Sequence, residues 1–218
     1  MTQTKSAAPT ERTRVRRIAE NANYEADILH AILDAAYVCH VAFNDGTSTH
    51  CIPTACWRQG GHLYIHGSNG GRLLKLLSRG TQACVTVTHV DGLVLARSAF
   101  NHSMNYRSAM VYGQFEKVGD EQEKRASLAL FMDKISLGRQ AQIRPGNEKE
   151  FSATTVMRIP LTEAACKVRT GGPQDDAEDM DIQVWAGVLP LETRRAKPLA
   201  DTACTVAAPE YVAQWEGT

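Results

Sequence analysis

Two adjoining stretches concentrate the residue types that could do chemistry. Leu63-Tyr-Ile-His-Gly-Ser-Asn-Gly-Gly-Arg-Leu-Leu-Lys75 reads as a strand that breaks into a Gly/Ser loop and opens a short helix. Arg72 and Lys75, three apart on that helix, share a face and can reach one anion. Free backbone amides at the helix start would add donors, Gly67, Gly70 and Gly71 let the backbone come close, and Ser68 offers a hydroxyl. The second stretch, 91–113, is an apolar strand, a polar loop and another strand. There Arg97, Ser98, His102, Ser103, Asn105, Tyr106, Arg107 and Ser108 crowd many donors into twelve residues. Guanidiniums beside apolar strand positions need anions or carbonyls. The two stretches together predict a pocket that holds a phosphorylated aromatic cofactor against a β-sheet. His66 and His102 are the candidate proton donors, because histidine titrates near neutral pH.

Other chemistries fit poorly. The glycine loop is not followed by Gly-Lys-Ser/Thr, and no parallel βαβ unit surrounds it, so kinase and dehydrogenase readings fall. No G-x-S-x-G elbow is present. His62 and His66 have the H-x₃-H spacing of many zinc sites, but on a strand that spacing separates them by roughly 13 Å. Cys51 and Cys56 would face opposite sides, so no metal site is expected. The acidic run Asp175, Asp176, Glu178, Asp179, Asp181 lacks the spacing of a calcium loop and reads as a solvated face.

The elements that must position these residues are mostly short strands. Tyr24 to Ala36 has a helical period; Tyr37–Phe43 then runs into the hairpin signal Asn44-Asp45-Gly46. Strands are expected at 47–58, 62–66, 83–89, 93–97, 106–118 and 153–161, with Asp91-Gly92 as a turn. A helix over 121–135 should gather Leu128, Phe131, Met132 and Ile135 on one face. Antiparallel strands with glycine turns and few helices predict a mainly β protein with peripheral helices, a Greek-key barrel. With 218 residues, 43% hydrophobic, one core is expected: a basic arm over 1–20 (Lys5, Arg12, Arg14, Arg16, Arg17), a domain over 21–191 and a tail over 192–218. Zero formal charge gives no pull toward nucleic acid or anionic membrane. No apolar run approaches a membrane span and no signal-peptide core is visible. The six cysteines contain no C-x-x-C pair and read as reduced thiols, so a cytoplasmic protein is expected.

At this point the residues resemble the pyridoxamine 5′-phosphate oxidase-related, FMN-binding split-barrel proteins, nearest to the flavin-nucleotide-binding, nitroimidazole-resistance-type branch. The likeness rests on Leu63–Lys75, Gly92–Gly113, Lys167-Val-Arg-Thr-Gly171 and Val184–Leu191, and runs from about Arg12 to Leu191. It implies a homodimeric split β-barrel with FMN in the grooves between subunits. The strand with His50, Ile52 and Thr54 would lie along the isoalloxazine edge. His66, Gly67 and Ser68 would sit beside the ribityl chain, with Arg72 and Lys75 on the phosphate. Arg97 and Ser98 would lie near the flavin, Trp185 with Gly187 would meet the ring from the second subunit, and Arg195 matches a flavin-contacting arginine. The implied activity is that of an FMN-dependent oxidoreductase acting on a small conjugated or nitro-type molecule, with a nicotinamide reductant. A flavin carrier or sensor without turnover is the alternative, as is a haem-binding split barrel; deazaflavin could replace FMN. The true oxidases end in Arg-x-His, whereas this chain reads Pro190-Leu-Glu-Thr-Arg-Arg195 and its last histidine is His102. That difference argues against pyridoxamine phosphate as substrate and against haem-degrading barrels with a C-terminal histidine ligand.

Overall fold

The computed structural model describes residues 6–216; Lys5 of the basic arm lies outside them. In chain order the elements are β1 (Ala22–Asn23), α1 (Ala26–Asp34), β2 (Val38–Asn44), β3 (Thr49–Gln59), β4 (His62–Ser68), α2 (Arg72–Leu77), β5 (Gln82–Leu95), β6 (Ser103–Gln114), β7 (Glu116–Lys117), α3 (Glu121–Ile135), α4 (Glu148–Ala153), β8 (Thr154–Pro160), β9 (Ala164–Arg169), β10 (Gly187–Pro190) and α5 (Glu210–Ala213). The strands form one antiparallel sheet in the order β1-β9-β6-β5-β2-β3-β4-β8-β7, with β10 paired to β5. This is the mainly β, split-barrel architecture expected of the sequence.

Alternation decides which side chains fill the barrel. Cys39, Val41 and Phe43 of β2, Ala83, Val85 and Val87 of β5, and Ala109 and Val111 of β6 point inward and are buried. α1 contributes Leu29, Ile32 and Leu33 to this core, and α2 contributes Leu74 and Leu77. The opposite faces of β3 and β4 place Trp57 and Tyr64 outside the barrel, where Leu128 and Phe131 of α3 cover them. Asp120 caps α3 by accepting from the Glu123 amide at 2.7 Å. Ile135, expected on the buried stripe, is exposed instead because the helix end runs past the sheet.

The expected turn at Asp91-Gly92 is absent. β5 runs through it as one strand, with a bulge between Val90 and Gly92. A Cβ on Gly92 would meet Val188 Cγ1 at 3.0 Å and the Leu189 carbonyl oxygen at 3.1 Å, so the glycine serves the close approach of β10. Asp91 accepts two hydrogen bonds from Arg107, both 2.8 Å. β5, β6 and β10 thereby extend as a three-stranded arm.

The basic segment lies on its own barrel. Arg12 pairs with Glu163 and stacks 4.7 Å from the Tyr112 ring centroid. Lys167 donates to the Arg17 carbonyl at 3.3 Å. At the other terminus the Tyr211 hydroxyl donates to Gln142 at 2.8 Å, laying α5 against the segment after α3. All six cysteines are free thiols, with Cys39, Cys56 and Cys166 buried. Among the described residues, no helix is long and apolar enough to cross a membrane.

Candidate functional site

β3 changes partners halfway along its length. Its first half pairs with β2, from Thr49 to Ala55, and its last four residues pair with β4. Among the described residues no strand pairs with the second edge of 49–55, so its backbone groups line an opening in the barrel. Pro53 within this stretch suits an edge, where a missing N–H costs nothing in the ladder. The side chains of His50 and Ile52 are half-buried, and Ile52 packs on the core, leaving the backbone to face the opening.

Beside the opening is a recess of about 340 Å³ lined by Asp45, Thr47, Arg72, Lys75, Leu76 and Arg79. Three cations and one carboxylate surround it. α2 presents Arg72 and Lys75 outward because Leu74 and Leu77 anchor its other face in the core, and Arg79 follows two residues after the helix ends. Asp45 sits in the β2–β3 turn, where it accepts from the Thr47 and Ser48 amides at 3.0 and 2.8 Å. These amides, the Thr47 hydroxyl and His50 hold its carboxyl well below the usual carboxylate range. It therefore stays ionised and pairs with Arg72 at 2.5 Å.

The loop amides of Gly70 and Gly71 are already engaged, whereas among the described residues the first-turn amides of Arg72, Leu73 and Leu74 have no backbone acceptor. Gly70 N–H donates to Ser68 Oγ at 3.3 Å and Gly71 N–H to the Ser68 carbonyl at 2.8 Å. Asn69 pins the loop to the end of α4 through Ala153 and Ser152. The positive charge lining the recess comes from the side chains of Arg72, Lys75 and Arg79. Gly67 leaves room for the helix: a Cβ there would stand 3.0 Å from Leu74 Cδ1, which would have to give way.

His66 is set apart from this cluster. Its ring lies 4.6 Å from Phe131 and 5.6 Å from Trp57, under α3. Its Nδ1 is buried without a partner, and desolvation lowers its pKa. Burial thus keeps this imidazole neutral and makes it reluctant to take up a proton, which weakens its expected part as a proton donor.

Arg97, Ser98, His102 and Trp185 occupy the far end of the arm. Arg97 donates through its amide and Nη1 to Asp175 at 2.7 and 2.8 Å. The Asp175 side chain is only 1% exposed, which corrects the expectation that the whole acidic run is a solvated face. Arg97 Nε and Ser98 Oγ are buried without partners. The Trp185 ring lies over Gly187, where a Cβ would come within 2.9 Å of it, and is 64% exposed. Arg195 belongs to neither end: its guanidinium stacks 4.3 Å from the Trp215 ring in the tail.

The two groups stand well apart within one chain. Phe43, two residues before Asp45, pairs with Ala83 at the start of β5, whereas Gly187 pairs with Leu95 at its end. Twelve strand residues separate them, about 35–40 Å. Sequence reasoning missed Asp45, Arg79 and Asp175; the NDG hairpin hid Asp45 as a turn residue, and nothing local marks Asp175.

An antiparallel split barrel with an open strand edge beside a cationic recess defines a class of cofactor-binding β-proteins. The family model for pyridoxamine 5′-phosphate oxidase matches residues 25–168, and the chain belongs to that family. The flavocytochrome Anf3 from Azotobacter vinelandii is 39% identical, with a TM-score of 0.92, covering 97% of this chain and 99% of that one. The FAD and heme binding protein from Mycobacterium smegmatis is 33% identical, with a TM-score of 0.86, over 90% and 98%. A structure described as a 5-nitroimidazole antibiotic resistance protein from Bacteroides thetaiotaomicron shares the fold at 22% identity and a TM-score of 0.57, over 67% and 86%. None of the curated proteins matches the chain.

Proposed function

We propose that this protein is a homodimeric flavin-dependent redox protein that also binds haem. The observation that carries the flavin reading is the recess in which Arg72, Lys75 and Arg79 converge beside the open edge of β3. Its cations suit a phosphate or pyrophosphate, and the unpaired backbone edge suits the heteroatom rim of an isoalloxazine. We take the flavin to be FAD rather than the FMN expected from sequence, a choice supported by the solved relative at 33% identity described as an FAD and heme binding protein.

Arg72, Lys75 and Arg79 would hold the phosphates, and the backbone of His50, Ile52 and Thr54 would border the ring. Gly67 and Ser68 would shape the turn beside the ribityl chain. The partner subunit would supply the Trp185 end of the arm, which supports a dimer: no single chain spans both groups. The flavin, when bound, supplies hydride and one-electron chemistry; the protein supplies position and electrostatics. The reaction would pass electrons from a nicotinamide-type donor to a small acceptor.

The test is the absorption spectrum of the purified protein, followed by release and identification of the flavin. Stoichiometric FAD together with a haem Soret band is the expected result. FMN would restore the mononucleotide reading, and a protein that takes up no flavin would overturn the proposal.

A further inference from the structure

Resting on the anion site proposed above, we infer that the His50 side chain positions Arg72, and that the recess takes up a proton on His50 when it takes up an anion.

Three side chains meet at one atom. His50 Nε2 lies 2.9 Å from Asp45 Oδ2 and 2.6 Å from Arg72 Nη2. Arg72 Nη2 lies 2.5 Å from the same carboxylate oxygen. Two of the three are fixed. The Thr47 and Ser48 amides and the Thr47 hydroxyl pin Asp45, at 3.0, 2.8 and 2.8 Å. The His50 ring packs against Phe43 of β2, with centroids 5.2 Å apart. Arg72 is the movable member: its side chain is 60% exposed, and among the described residues it bonds to Asp45 and His50 alone.

The protonation state of the ring decides where that guanidinium goes. With its proton on Nδ1, neutral His50 accepts from Arg72 through Nε2 and holds it on Asp45, away from a ligand. With both nitrogens protonated, Nε2 donates to Asp45 and no longer accepts from Arg72. The guanidinium is then turned out toward the recess.

Charge acts in the same sense. Asp45 and Arg72 cancel, so the trio changes from neutral to positive when the imidazole gains its proton. α2 faces the ring with Arg72, the β2–β3 turn with Asp45, and β2 with the uncharged Phe43. Lys75 and Arg79 complete the charged lining of the recess. A fixed carboxylate in an anion site opposes its ligand at every pH, and the imidazolium offsets it. Histidine changes charge between about pH 5 and 8, so anion affinity should rise as pH falls through that window. By linkage, a bound anion favours the imidazolium to the same extent.

The experiment measures FAD affinity by fluorescence quenching from about pH 8 to about pH 5 in the wild type, His50→Gln and Arg72→Ala. FAD suits the test because its pyrophosphate diester gains no proton in this range, whereas a phosphate monoester does so at about pH 6. Wild-type affinity is expected to rise at least threefold toward the acid end. His50→Gln keeps a donor for Asp45 without a titrating ring, and its affinity should be level. Arg72→Ala should bind more weakly throughout and lose most of the acid gain, because no guanidinium is left to redirect. A level wild type, or the full acid gain in either variant, would overturn the inference and leave the flavin reading intact. A wild type that binds no FAD at any pH would overturn the flavin reading; sulfate then serves as the probe, read by its shift of the melting temperature. A sulfate shift that grows in acid for the wild type but not for His50→Gln would uphold the inference. Equal growth in both would overturn it.

Discussion

Arg72 Nη2 lies 2.5 Å from Asp45 Oδ2, and both contact the same ring nitrogen of His50, at 2.6 and 2.9 Å. That nitrogen can donate to the carboxylate or accept from the guanidinium, never both at once. One contact of the three is therefore unfavourable in either tautomer. An arriving phosphate that draws Arg72 away leaves a satisfied Asp45–His50 pair behind.

Replacing Arg72 and Lys75 together by alanine should weaken flavin binding by more than tenfold. Charge-assisted bonds to phosphate are each worth roughly 1.5–3 kcal/mol. Asp45→Asn should act in the opposite direction, because it keeps an acceptor for the turn amides and removes a negative charge from the recess. Titration by flavin fluorescence quenching measures both. Unchanged affinity in the double variant would place the phosphate elsewhere.

Asp175→Asn should loosen residues 170–186 from the arm. Its carboxylate holds Arg97 from a buried position, and Arg97 Nε already lacks a partner. A neutral amide answers two charge-assisted bonds poorly. Hydrogen exchange should rise across this segment with little change in β2 or β5. Uniform protection throughout the chain would show that the pair anchors nothing.

How much of this was legible in the sequence depends on how local each cause is. The α3 boundaries at Glu121 and Ile135 follow from Asp120 as cap and the apolar period, and the structure reproduces them. The hairpin after β2 follows from Asn44-Asp45-Gly46, with Gly46 at φ +97°. Asp91-Gly92 is the same signal with a different outcome, since β10 arrives from almost a hundred residues away and needs the glycine for contact. Asp45 meets Arg72 only because Leu74 and Leu77 dock α2 into the core. No window of sequence contains that relationship, nor the reach of Asp175 to Arg97. The split of the site residues between two ends of β5 likewise appears only once the strand register is known.

Ser127→Ala should destabilise the fold by about 1–3 kcal/mol. The Ser127 hydroxyl, fully buried in α3, accepts from Trp57 Nε1 at 3.2 Å. Alanine leaves the indole N–H buried and without an acceptor, at little cost in volume. Thermal unfolding should show a drop of a few degrees, on the order of 2–4 °C per kcal/mol for a chain of this length. No change in melting temperature would mean that the indole finds water instead.

His66 makes stability depend on pH in a defined direction. Burial between Trp57 and Phe131 lowers its pKa, so the unfolded chain, titrating near 6.5, binds the proton first. Between the folded and unfolded values the unfolded state carries more protons, and stability rises with pH. The contribution is complete above about pH 6.5 and is lost as pH falls through the folded value. His66→Phe removes the titrating group while keeping an aromatic ring against Phe131. Melting temperatures of the wild type should fall more steeply than those of the variant as pH is lowered from neutrality through this window. Parallel curves would show that the imidazole takes up its proton in the folded protein as readily as in the unfolded chain.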